Sequence, residues 1–416
     1  MKFTTEIIKN YNNRLVFFLL LLAVLNQIKF LFPNYEFFYY AYVGIFACYL
    51  SLIFYKKKIQ SNKIKYYFPL LMMMILFFFE YIIYNSRFDL KIFILLNLVM
   101  ALCFLICEFS ERKFFLGIIY TSLFFFILGS YGWLDGGQGG IWGKQFVYFS
   151  YHYLESTRNE DAQIFFYGFL LSLFYIFFYR LDWKILIINQ LNLLALLLSF
   201  SRGFYLITIF NFILILLFII FIRKDKLKEF LIYIIICLIV SFSSFQLLNN
   251  TVKVDMNKIF IIKVFSLYNF AIKKEIMINK ESEYDKTHLY KTSLQSLTFK
   301  VDDWSSFVQE VTNNKIIFNN LIYKNDEKNY TESSLLYFLK ELNIIIFILL
   351  CYFFILQIYQ VYKKKENNEQ KLIFSIVLIN FILLNSLYNC LDDIWNYLIF
   401  LYLALPLSKK LIIFKI

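Results

Sequence analysis

Apolar stretches near 20 residues alternate along this chain with short polar and basic ones. They fall at about 15–32, 36–55, 66–84, 90–107, 114–130, 162–180, 185–200, 204–222, 229–248, 335–361, 372–389 and 396–408. An α-helix rises ~1.5 Å per residue and the hydrocarbon core of a bilayer is ~30 Å thick, so a run of this length crosses it as a helix. The pattern predicts an all-α, polytopic transmembrane bundle of about twelve spans. Two polar intervals interrupt it, 131–161 and 249–334. The expected organisation is residues 1–248 with spans one to nine and the 131–161 loop, then a large loop over 249–334, then 335–416 with the last three spans. The first run is too long for the core of a signal peptide and lacks a small-residue cleavage site.

Composition narrows the class. The chain is 60% hydrophobic and only 17% charged, against roughly a quarter charged in soluble domains, which excludes an ordinary soluble enzyme. With 11 Gly and 3 Pro in 416 residues, collagen-like and linker architectures are excluded too.

A net charge of +13 would suggest nucleic acid in a soluble protein. Here the cations sit in short loops between spans: Lys56, Lys57, Lys58, Lys63 and Lys65; Arg223, Lys224, Lys226 and Lys228; Lys363, Lys364, Lys365 and Lys371. That is the positive-inside signal, not a nucleic-acid surface. It predicts both termini and the 56–65, 108–113, 180–184, 223–228 and 363–371 loops on the cytoplasmic side, with 131–161 and 249–334 opposite. The 249–334 segment carries 12 Lys and 11 Asp or Glu and reads as a solvated helical cap. Segments of this length translocate whatever their charge. The six Cys (48, 103, 107, 237, 351 and 390) lie in or beside apolar runs, so no disulfide framework is implied. Cys103 and Cys107 are four apart but lack two further metal ligands nearby, which leaves core packing.

Candidate chemistry lies on the outer side. Arg202, in Ser201-Arg202-Gly203, marks the break between two apolar runs. Arginine at bilayer depth is costly unless it is paired or lines a wet cavity; snorkelling to the interface is the bland reading. Arg158 stands in Ser156-Thr157-Arg158-Asn159-Glu160-Asp161, just before another run, where an exposed salt bridge would be worth little. Only seven Arg accompany 35 Lys, so Arg at 158 and 202 suggests the planar, bidentate recognition that phosphate favours. Lys300, in Thr298-Phe299-Lys300-Val301-Asp302-Asp303-Trp304, says little alone. Glu332 precedes an apolar run at Tyr330-Thr331-Glu332-Ser333-Ser334, where it serves equally as a carboxylate base or as a helix-start residue in the positive field of the dipole. The 131–161 loop opens with five of the eleven glycines. It reads either as a flexible turn or as a sugar-contacting loop in which Trp133 and Trp142 offer stacking faces. With His152 and His288 the only histidines, and no HExxH, GxSxG, phosphate-binding glycine loop or CxxC, neither metal nor triad chemistry is supported.

Together the spans, the large loop before the tenth span, Ser201-Arg202-Gly203, Arg158-Asn159 and the Glu332–Ile345 stretch resemble the O-antigen polymerase and ligase superfamily. That last stretch is similar to the family's polar-loop-to-helix junction ending in Glu-Leu-Gly, although Asn343 stands where the Gly is usual and Lys300 where Arg is frequent. The resemblance implies a metal-independent, cofactor-free glycosyltransferase on the outer face of a bacterial inner membrane. It would join polyprenyl-diphosphate-linked repeat units into O-antigen or capsular polysaccharide. In that scheme Arg202 and Arg158 meet the diphosphate, Lys300 is a third cation and Glu332 is the base. Asn159, Ser201, Trp133 and Trp142 are substrate contacts. The implied partners are the lipid-linked glycan donor and acceptor, membrane lipids and a chain-length regulator protein as a candidate, with no nucleic acid. Two rivals stay open: a lipid-linked glycan ligase, and a polysaccharide flippase or other transporter, although no internal repeat of the kind transporters carry is evident.

Overall fold

A computed structural model describes residues 61–84, 111–134, 158–179, 181–199, 201–222, 224–251, 344–363, 368–388 and 394–405, with a few isolated positions besides. The runs expected at 15–32 and 36–55, most of that at 90–107, and nearly all of 249–334 lie outside the described residues, single positions apart. Among the described residues the chain is helical and contains no strand.

The helices are α1 (Ser61–Tyr84), α2 (Glu111–Leu134), α3 (Arg158–Phe174, continued by a π-turn over Tyr175–Tyr179), α4 (Trp183–Leu198), α5 (Arg202–Ile222), α6 (Leu227–Thr251), α7 (Ile344–Lys363), α8 (Asn368–Leu387) and α9 (Ile394–Ala404). Five segments have the length and apolar composition to cross a membrane: α3 with its π-turn, and α5, α6, α7 and α8. α5, with 21 residues, is ~32 Å long, enough for the ~30 Å hydrocarbon core. α4, with 16, reaches only ~24 Å.

Several helices begin in polar sequence that hydropathy alone would assign to loops. α2 starts at Glu111, α3 at Arg158 and α8 at Asn368, because a first turn tolerates and often favours polar side chains. α4 shows the local cause. The Asp182 carboxylate accepts from Lys184 N at 3.0 Å, capping one of the free first-turn donors. The expected 131–161 loop therefore shortens at both ends, since Tyr131-Gly132-Trp133-Leu134 continue α2 and Arg158 already belongs to α3.

The chain divides into two compact units, 1–117 with 310–416, and 118–309. In the first, α1 packs on α7, α7 on α8, and α8 on α9. Tyr402 of α9 stacks on Phe114 with ring centroids 5.8 Å apart, and its hydroxyl donates to Glu111 Oε1 at 2.5 Å. In the second unit α3 packs on α4 and α5, α4 on α6, and α5 on α6. The apolar window of α3 is 83% buried, against 39% for α5 and 28% for α6, so α3 is enclosed while the other two present an open face. That face is apolar: Leu206, Ile209, Ile213, Leu217 and Phe221 on α5, and Ile232, Ile235, Ile239 and Phe242 on α6 are all exposed. Stripes of this size would promote aggregation in water and suit contact with lipid chains.

Candidate functional site

The joint between α4 and α5 is built by two serines and a tyrosine. Ser199 Oγ donates to Leu196 O at 2.7 Å and accepts from Ser201 N at 3.3 Å. Tyr205 N then donates to Ser201 O at 3.1 Å, and Tyr205 Oη to Leu197 O at 2.5 Å. These local bonds satisfy backbone groups that would otherwise be orphaned where two helices end, so the joint can be buried: Ser199 is 2% exposed and Ser201 1%. The break thus lies between Leu198 and Arg202 and includes Ser201, while Arg202 and Gly203 belong to the first turn of α5.

This placement makes Arg202 unusual. It is 8% exposed at a helix start, where free N–H groups and the macrodipole already make the potential positive. A cation gains nothing from that field; an anion near both would gain from each.

α3, α4 and α5 run alternately up, down and up, so α3 and α5 begin at the same end of their unit. Ring contacts fix the alignment: Phe166 of α3 meets Phe204 of α5 at 5.7 Å, and Phe169 meets Phe212 at 5.4 Å. At ~1.5 Å rise per residue, these two contacts put the start of α3 at Arg158 roughly 2–9 Å further out along the axis than Arg202. The backbones of Arg158 and Asn159 open α3, and Trp133 sits in the last turn of α2; their side chains lie outside the described residues. Trp142, Lys300 and Glu332 also lie outside them. Of the expected site residues, Ser201 and Arg202 are therefore the two with described surroundings.

A second feature went unread in the sequence. Three amides, Asn189, Gln190 and Asn192, interrupt the apolar run of α4. Asn189 Nδ2 donates to Phe169 O at 2.8 Å and Ser172 Oγ at 2.6 Å, while its Oδ1 accepts from the Tyr233 hydroxyl. Gln190 faces α6, donating to Cys237 Sγ and accepting from Ser241 Oγ at 3.4 Å. Asn192 Nδ2 donates to Ser122 Oγ at 2.9 Å, and that hydroxyl donates to Ile119 O at 2.8 Å. Ser122, Ser172, Asn189 and Asn192 are each wholly buried. Together they form a polar seam through the second unit, tying α2, α3 and α6 to α4. The available signal was the cost of amides in an apolar run, which demands partners on neighbouring helices.

No protein-family model matches the sequence, and no characterised protein matches it at significant similarity.

Proposed function

We propose that this protein is an integral-membrane glycosyltransferase that polymerises polyprenyl-diphosphate-linked oligosaccharide units on the outer face of a bacterial inner membrane, with both termini cytoplasmic. The observation that carries the reading is Arg202, buried at the start of α5, at the same end of its unit as the start of α3 and Arg158. In the proposed reaction an acceptor hydroxyl attacks the anomeric carbon of the donor. The bond from that carbon to the diphosphate oxygen breaks, and the diphosphate departs on its lipid. Arg202 and Arg158, with Lys300, offset the charge that grows on the leaving oxygens, and Glu332 takes the hydroxyl proton. Trp133 and Trp142 stack on sugar rings, with Asn159 and Ser201 as polar contacts. No metal is required by this chemistry.

The deciding experiment is Arg202→Lys, read on the surface-glycan ladder at matched protein abundance. A bidentate diphosphate contact predicts loss of most long chains, because an ammonium cannot reproduce the guanidinium fork. A snorkelling side chain predicts a normal ladder, and that result would overturn the assignment.

The buried seam of Ser122, Asn189, Asn192 and Tyr233 favours one other reading, a glycan flippase, since polar residues within membrane helices often mark pathways. Deletion separates the two. A polymerase defect leaves acceptors capped with single repeat units, whereas a flippase defect leaves the unit facing the cytoplasm and no capped acceptor.

A further inference from the structure

Gln163 lies in the second turn of α3. It is wholly buried, and neither Nε2 nor Oε1 has a hydrogen-bond partner among the described residues. Cut off from water in this way, a carboxamide loses the bonds it would make in solvent, a cost that a methionine or leucine of similar volume would avoid. Such a group in a natural fold needs a physical reason, and a ligand supplies one. Its height agrees with that of the candidate site. The ring contacts Phe166–Phe204 and Phe169–Phe212 put Gln163 between ~2 Å outside and ~6 Å inside Arg202 along the axis. Long side chains on a helix lean toward its N-terminus. The amide of Gln163 therefore extends outward, toward the end where α3 and α5 both begin and where Ser201 and Arg202 are buried.

We propose that Gln163 is a substrate-binding residue that reads the junction between sugar and diphosphate in the lipid-linked donor, an assignment that rests on the glycosyltransferase reading above. A guanidinium and the free N–H groups of a helix start only donate, whereas a carboxamide offers a donor and an acceptor side by side. The junction presents the complementary pair. C1 of the sugar carries a phosphate oxygen, which accepts, and C2 carries a hydroxyl or an acetamido N–H, which donates. Gln163 Nε2 donates to the phosphate oxygen and Oε1 accepts from the C2 group, so one ligand satisfies both stranded atoms. A lipid diphosphate without its sugar satisfies only Nε2. The donor thus makes one bond more than the departing lipid diphosphate, and Gln163 favours exchange of that product for fresh donor.

The test measures the affinity of the full-length protein in nanodiscs for two probes, polyprenyl diphosphate and the same lipid bearing one N-acetylhexosamine, together with its thermal unfolding. Gln163→Met keeps the length of the side chain and removes the amide. It should melt no lower than the parent, because it relieves a stranded polar group. It should also reduce the preference for the glycosylated probe by about two- to tenfold, the worth of one neutral hydrogen bond. Gln357 of α7 is likewise wholly buried, with both amide atoms lacking partners among the described residues. Gln357→Met is therefore the control, and should melt no lower than the parent while leaving both affinities unchanged. A melt of Gln163→Met several degrees below the parent would mean that the amide is bonded within the fold, and overturns the proposal. Equal weakening of both probes overturns it too, as does a matching loss of preference in the control. If Gln163→Met leaves both affinities unchanged while Arg202→Lys weakens them, Gln163 has no role and the anion site stands. If the parent binds neither probe, or Arg202→Lys affects neither, the glycosyltransferase reading falls and this assignment falls with it.

Discussion

Gly168 of α3 sits where three helices meet, and giving it a methyl group measures how tightly. A Cβ built there would overlap Ser122 of α2, at 2.5 Å from its Cβ, and would come within 2.8 Å of Asn192 Nδ2 of α4. Ordinary carbon contacts are ~3.5–4.0 Å, and both neighbours are wholly buried and bonded to one another at 2.9 Å. Neither can swing aside without breaking that bond. Overpacking costs about 1–3 kcal/mol, and a lost interhelical bond in a membrane bundle about 0.6–1.7 kcal/mol. Against these, alanine in place of glycine gains up to ~1 kcal/mol of helix propensity. Gly168→Ala is therefore expected to destabilise by roughly 1–3 kcal/mol. Gly44, helical and exposed with nothing within 4 Å of a built Cβ, supplies the opposite sign: Gly44→Ala should gain up to ~1 kcal/mol. The assay is thermal unfolding of the purified protein in detergent, where Gly168→Ala should melt several degrees lower and Gly44→Ala no lower than the parent. In a Ser122→Gly background the obstructing Cβ is gone, and the penalty of Gly168→Ala should shrink by at least ~0.5 kcal/mol, the coupling expected of residues in contact. Gly168→Ala melting at or above the parent temperature would refute the close approach of α2, α3 and α4.

The same measurement tests the other polar contacts. Tyr233→Phe removes the hydroxyl that Asn189 Oδ1 accepts from and should cost about 0.6–1.7 kcal/mol; an unchanged melt would mean that the bond contributes nothing. Asn385→Leu strands the buried amide of Asn396 and should cost about 1–3 kcal/mol, whereas Asn385→Leu with Asn396→Leu should be near neutral. A double variant less stable than the single would contradict that account.

Hydropathy located the described helices well because bilayer length and helix rise are fixed quantities. The run expected at 204–222 is α5 at Arg202–Ile222, and that at 229–248 is α6 at Leu227–Thr251. The errors fall at helix ends: Arg158, Glu111 and Asn368 belong to first turns that a count of apolar residues cannot see, and Tyr131-Gly132-Trp133-Leu134 to the last turn of α2. Nor could periodicity foresee the π-turn at Tyr175–Tyr179, whose cause is not visible in residue type. Of the candidate site, the sequence singled out Arg202 by its residue type and position. Its burial depends on how Ser199, Ser201 and Tyr205 close the joint, which spacing does not reveal.

The amides of α4 show most clearly why residue type is not enough. In an isolated apolar run Asn189, Gln190 and Asn192 look like a weakened span. In the fold they turn to three neighbours: Asn189 to α3 and α6, Gln190 to α6, and Asn192 to α2. α4 is also short, at ~24 Å against a hydrocarbon core of ~30 Å, so hydrophobic matching to lipid alone does not hold it in register. Interhelical hydrogen bonds do so instead, each worth about 0.6–1.7 kcal/mol in a membrane bundle. The end of α4 leads directly into Ser199, Ser201 and Arg202. The seam that fixes the height of α4 therefore fixes the depth at which the guanidinium is presented, and it links the stability of the bundle to the position of its buried cation.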